Sequence, residues 1–153
     1  MSSNMASGSF LVYGTPRPQG SKRLVTSKAG KTVMIEQSRY VRRYRRNISE
    51  MAKATFAIPF DRAVTVDIVF RFRRPHSHYL KSGKLSKLGE RKTYMTSRPD
   101  LDKLVRSVLD GLSGVAFVDD SQVIAVRAWK EWGNGNAHTS VHITAHVENE
   151  VNK

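Results

Sequence analysis

Two pairs of aspartates are the residues best placed to do chemistry in this chain. Asp100-Leu101-Asp102 opens an apolar-periodic segment, and Asp119-Asp120 follows it, just before a run of alternating residues. Each pair alone has an ordinary structural role, since Asp caps helix N-termini and Asp-Asp-Ser makes a turn. Taken together they ask for more. Three carboxylates within a few ångströms of one another repel, and one takes up a proton unless a cation occupies the centre. Oxygen-only ligands, with no Cys in the chain and no His nearby in sequence, suit Mg2+, with Mn2+ as a substitute, rather than zinc. Lys103 follows Asp102 directly, and Arg106 lies four residues after it on the same helix flank. Such cations form weak ion pairs or stabilise charge that builds on a phosphate.

These groups need elements to position them. Leu101, Leu104, Val105, Val108, Leu109 and Leu112 recur at helical spacing, which predicts a helix over 101–112. Twelve residues at about 1.5 Å each put its ends roughly 18 Å apart. Phe117 and Val118 are therefore expected to carry the chain back, so that Asp120 starts a strand beside the helix N-terminus. A second helix is expected over Glu36–Phe56, with Val41, Tyr44, Ile48, Met51 and Ala52 inward and Arg39, Arg42, Arg43 and Arg46 as an opposing stripe. Phe10–Tyr13, Ala63–Arg73, Gln122–Trp132 and Thr139–Val147 read as strands, the last two as a hairpin around Gly133-Asn134-Gly135-Asn136. Leu24–Thr26 and Thr32–Met34 suggest a small hairpin. Residues 76–98 lack a period and carry six cations against Glu90, so a long loop is expected there, mobile when free. The order β-(hairpin)-α-β-loop-α-β-β predicts an α+β fold: one domain over 9–148, a mixed or antiparallel sheet with two main helices on it, and a flexible tail at 1–8.

Composition narrows the partner. The 153 residues carry 26 Lys and Arg against 13 Asp and Glu, a net charge of +13, which points to a polyanion. Residues 1–99 hold 21 basic and five acidic residues, while 100–153 hold five and eight. A basic body with one acidic knot is more than a coating protein needs. The arginine stripe has no interleaved acids, so its charges repel unless phosphates neutralise them. Arg17, Lys22, Arg23, Arg39, Arg42, Arg43, Arg46 and Lys103 are the expected DNA contacts. No apolar run is long enough to span a membrane, the first ten residues do not read as a secretory signal, and the lack of Cys suits a reducing cytoplasm. No Walker loop or dinucleotide fingerprint appears, so no nucleotide cofactor is expected. His76, His78, His138, His142 and His146 are read as loop and strand positions rather than ligands, and Trp129 and Trp132 as packing residues.

Arg98-Pro99-Asp100-Leu101-Asp102-Lys103-Leu104, with Leu109-Asp110, and Gly114-Val115-Ala116-Phe117-Val118-Asp119-Asp120-Ser121-Gln122-Val123, resemble the signature of RusA-type Holliday junction resolvases. Gly14-Thr15-Pro16-Arg17-Pro18 after the first strand, and the Arg-rich helix, fit as well. The resemblance implies a Mg2+-dependent crossover junction endodeoxyribonuclease: a cytoplasmic homodimer that nicks four-way DNA junctions symmetrically in recombination and repair. It implies Asp100, Asp102 and Asp120 as metal ligands and, with Arg106, as the catalytic set; Asp119 is a lesser neighbour and Asp110 a supporting acid. Two positions depart from the pattern. Lys103 stands where the family often has Asn, and Arg106 where it often has a catalytic Lys. Arginine keeps the charge but cannot give up a proton. Two alternatives stay open at this point: a non-catalytic nucleic-acid-binding protein whose acids are caps and turns, and a nuclease of the same chemistry that acts on flaps or forks.

Overall fold

The computed structural model describes residues 6–20, 23–35 and 39–148. The elements are β1 (Ser7–Tyr13), β2 (Arg23–Thr26), β3 (Thr32–Ile35), α1 (Arg39–Thr55), β4 (Val64–Phe72), α2 (Lys87–Arg91), α3 (Leu101–Leu112), β5 (Val123–Trp132) and β6 (His138–Ala145). The α+β class and the two main helices are as the sequence predicts, and β2–β3 form the small hairpin. Of the expected tail, Ser7 and Gly8 belong to β1, and residues 1–5 lie outside the described residues.

The sheet runs β1-β6-β4-β5. Here one expectation fails. Strands β5 and β6 do not pair as a hairpin: β4 lies between them, parallel to β5 and antiparallel to β6. The reason lies in β4, whose Val64, Val66, Ile68, Phe70 and Phe72 are all buried. A strand that apolar is best placed inside a sheet, with a ladder on each side. The Gly133–Asn136 turn therefore bridges across the end of β4, and Gly133 N donates to Phe72 O.

Both long helices cover one sheet face. Tyr44, Ile48 and Ala52 of α1 and Leu104, Val108 and Leu112 of α3 pack with the inward residues of β4, β6 and β1, and Val41 of α1 is buried as well. Met51, expected inside, is 39% exposed because it sits at the margin of the α1 stripe. The two helices approach closely at Gly111, where a Cβ would stand 2.9 Å from both Arg45 O and Ile48 Cγ2. Any side chain there forces them apart. The buried Tyr44 hydroxyl shares a hydrogen bond with Thr139, and burial pushes its phenol well above the usual range.

Residues 76–98 are also a correction, because they are folded. A 3-10 turn at His76–His78, a bridge between Tyr79 and Leu85, and α2 form a small lobe. Ser86 caps α2. Arg74 Nη1 donates to Gly89 O and Lys92 O, and lies 3.2 Å from His78 Nδ1. His78 is buried edge-on to Trp132, and burial with the nearby Arg74 and Lys92 holds its pKa below the usual value. The lobe then adds to the free edge of β5, with Trp132 N donating to Thr93 O and Met95 N to Lys130 O. Composition alone suggests mobility; one arginine and one strand edge supply the order. Trp129, by contrast, stands 45% exposed on the open sheet face.

Candidate active site and nucleic-acid surface

The acid couplet sits at the start of α3, with Asp100 as the N-cap residue. Its carbonyl accepts the first helical bond from Leu104 N, but its side chain makes no capping bond. The carboxylate is not used in building the helix. It lies exposed, 3.9 Å from Lys103 Nζ, a surface pair worth less than about 1 kcal/mol. Asp102 and Arg106 are exposed in the first two turns of the same helix.

The couplet is held from below. Lys130 occupies a register position beside the core residue Phe70, an unexpected place for a lysine. Its ammonium is satisfied by donating to Ser97 O and Pro99 O, 2.8 Å each, which fixes the backbone leading into Asp100. Sequence reading missed this residue, although a lone lysine at an inward position of an alternating strand is a legible signal. The peptide between Arg98 and Pro99 is cis.

A cleft of about 580 Å³ opens beside Asp100. Arg17, Arg98 and Lys103 line it, over a floor that includes Phe72 and Met95. The segment carrying Arg17 is tied to α3 by Gln19 N donating to Lys103 O, and to α1 by Arg45 Nη1 donating to Gln19 Oε1. Arg17 and Arg39 both stack over the Tyr40 ring, 5.1 and 5.2 Å from its centroid. Arg17 therefore links the cleft to the stripe of Arg39, Arg42, Arg43 and Arg46, which is exposed as expected. Lys22 lies outside the described residues, and of Arg23 only the backbone, in β2, is described.

Asp120 is elsewhere. The chain leaves α3 through Ser113 and Gly114 and is pinned near Phe60: Phe60 N donates to Ala116 O, and Val118 N to Phe60 O. That is the start of β4, whereas Asp100 lies near the end of β5 held by Lys130. The expected return of the chain to the helix N-terminus does not occur, because 113–119 anchor to the segment that enters β4. Helix α3 is about 18 Å long. The couplet stands at one end of it, while the cleft that holds Asp120 is lined by Asp110 and Gly111 at the other. Among the described residues, no three His, Asp or Glu side chains gather as a metal site. Asp120 instead lines a second cleft of about 540 Å³ with Arg42, Arg45, Arg46, Lys53 and Asp110, the last 3.8 Å from Arg45. This cleft continues the basic stripe, so a phosphate can reach it. Asp119 is structural: it caps the 3-10 turn, and hydrogen bonds from Ser121 hold its carboxyl below the usual range.

The family description Endodeoxyribonuclease RusA matches residues 14–144, which span the stripe, both aspartate pairs and the sheet apart from β1. The chain belongs to the RusA family. This RusA chain is also 29% identical over 125 residues to a Bacillus subtilis (strain 168) protein named "Uncharacterized protein YqaN", covering 79% of this chain and 84% of that one. The family is one of endodeoxyribonucleases, so the rival reading as a purely binding protein loses ground to a nuclease. No helix among the described residues is long and apolar enough to cross a membrane.

Proposed function

We propose that this RusA chain resolves four-way DNA junctions as a homodimer, with each active site assembled from both subunits. One observation carries the reading: a carboxylate couplet, free of capping duty, stands in a cation-lined cleft at one end of α3, while the third acid lies in a basic cleft at the other end. A single chain does not fit a three-carboxylate metal site. Two chains do. The flank of α3 and β5 between the acids exposes Leu101, Val118, Ile124 and Val126, at 36%, 61%, 64% and 37%. Exposed apolar side chains on the part of an edge strand that nothing covers are a surface for association. Packed on its own copy with the two-fold axis perpendicular to the strip, so that the copies run antiparallel, it would set each Asp100–Asp102 couplet beside the partner's copy of Asp120.

In this arrangement Asp100 and Asp102 of one chain and the Asp120 carboxylate of the other would hold Mg2+, or Mn2+ in its place. The bound ion would supply activation of water and neutralisation of phosphate charge. The chain's own residues do the rest. Arg17, Arg98 and Lys103 seat the phosphate in the cleft, and the α1 stripe holds the backbone on either side. Arg106, one turn beyond Asp102, offers positive charge to the developing oxyanion but no proton, so the leaving oxygen draws its proton from water. Two identical sites on one two-fold dimer match the symmetry of a four-way junction and give paired nicks. Such cuts serve recombination and repair in the cytoplasm.

The test compares a synthetic four-way junction, a fork and a linear duplex at one salt concentration, with Mg2+ and with EDTA. Symmetric nicks in the junction, dependent on Mg2+, are the expected result. Preferential cutting of the fork would favour a nuclease of the same chemistry with another target.

A further inference from the structure

The lobe at 76–98 presents Lys81, Lys84, Lys87, Arg91 and Lys92 to solvent, with Glu90 as its one acid. None of the five basic side chains is in an ion pair among the described residues. Five exposed like charges on a structure this small repel one another, a cost that salt screens in part and a polyanion relieves. The lobe also holds them on a rigid frame. Gly89 packs so tightly on His78 that a Cβ would stand 2.2 Å from the His78 carbonyl oxygen. Arg74 ties down the middle and the C-terminal end of α2, and residues 93–95 are laddered to β5. The frame leads directly into the couplet: Ser97 O and Pro99 O are the two acceptors of Lys130, and Asp100 follows. A lobe without a role in binding has no need of such an anchor beside the cleavage end.

We propose that the folded 76–98 lobe is a second DNA-binding arm, which grips the phosphate backbone of the duplex arm leaving the Asp100–Asp102 cleft. The inference rests on the DNA-cutting reading for its choice of polyanion. The arm joins the cleft through Arg98, which ends the 76–98 segment and lines the cleft with Arg17 and Lys103. It contacts backbone rather than bases, because lysines on a surface turn read charge and not sequence. It therefore sets affinity and arm placement and leaves the chemical step alone.

The test is Lys81→Ala, Lys84→Ala and Lys87→Ala combined, in the full chain, with a Lys→Arg triple as control. Junction binding is measured in EDTA across a salt series, and cutting in single turnover at saturating enzyme. The alanine triple is expected to bind about 10- to 100-fold more weakly, with a salt slope shallower by about 0.9 for each phosphate it no longer neutralises. The arginine triple should bind as the parent does, and saturated cutting should be unchanged. An alanine triple with the parent's affinity and slope overturns the proposal. So does weaker binding with an unchanged slope. The nuclease reading fails separately, if the parent binds the junction but does not cut it, because the binding arm of the experiment contains no metal.

Discussion

Asp102→Asn is expected to abolish Mg2+-dependent cutting of a four-way junction while leaving junction binding intact, or tighter. The side chain is exposed in the first turn of α3 and makes no core contact, so its loss costs the helix only the dipole contribution of one acid, about 0.3–1 kcal/mol. The chain should therefore fold, as circular dichroism will show. Removal of a negative charge from a phosphate site lowers repulsion, which favours binding. On the proposed reading the chemical step loses one of the three carboxylates that would hold the cation, and a loss of at least about 10²-fold is expected, the scale of removing one electrostatic stabiliser of the reacting phosphate. Gel shift in EDTA and single-turnover cutting in Mg2+ separate the two effects. Cutting that survives the substitution contradicts the assignment of Asp102.

Ile124→Lys combined with Val126→Lys is expected to turn a dimer into a monomer and to abolish cutting with it. Val126 shares its register with the buried Val66, yet is 37% exposed because β5 is the outer strand of the sheet. Ile124 is the extra residue where the β4–β5 register shifts between Val64 and Thr65, and it is exposed. Neither holds up the core, so lysines there are tolerated by the monomer. In a self-complementary contact each lysine is buried twice over, without a partner, at a cost of several kcal/mol. Light scattering and sedimentation should show the change of mass, and circular dichroism an unchanged fold. A double variant that stays dimeric, or that cuts as a monomer, contradicts the two-subunit site.

What the sequence disclosed follows its periodicities. The 3.6-residue repeat of Leu101, Leu104, Val108 and Leu112 and the alternation from Val64 to Phe72, with Val69 as its one exception, yield α3 and β4 closely. The partner of each strand was not legible. A turn as inviting as Gly133–Asn136 argues for a hairpin, and only the two-sided demand of β4 for neighbours places it between β5 and β6. The lobe hid for a related reason: its order depends on Arg74, Lys130 and Trp132, all distant from the residues they fix. Both acid pairs were visible as chemistry-bearing residues. Their convergence within one chain was not borne out, because the length of α3 is spent in full and 113–119 anchor to Phe60 rather than turning back. The side chain of Asp100, free of capping duty, is what separates it from Asp119, whose carboxylate is committed to Ser121.

The most direct measurement mixes two inactive variants. Asp102→Asn and Asp120→Asn, each inert alone, are unfolded together, refolded to exchange subunits, and assayed on a four-way junction. In a mixed dimer one site collects both substitutions, while the other collects an intact couplet from one subunit and an intact Asp120 from the other. A site shared in this way predicts that the mixture regains single-strand nicking, with paired cuts still absent. A mixture as inert as its two components would mean that the acids of one chain act together, contradicting a site shared between subunits.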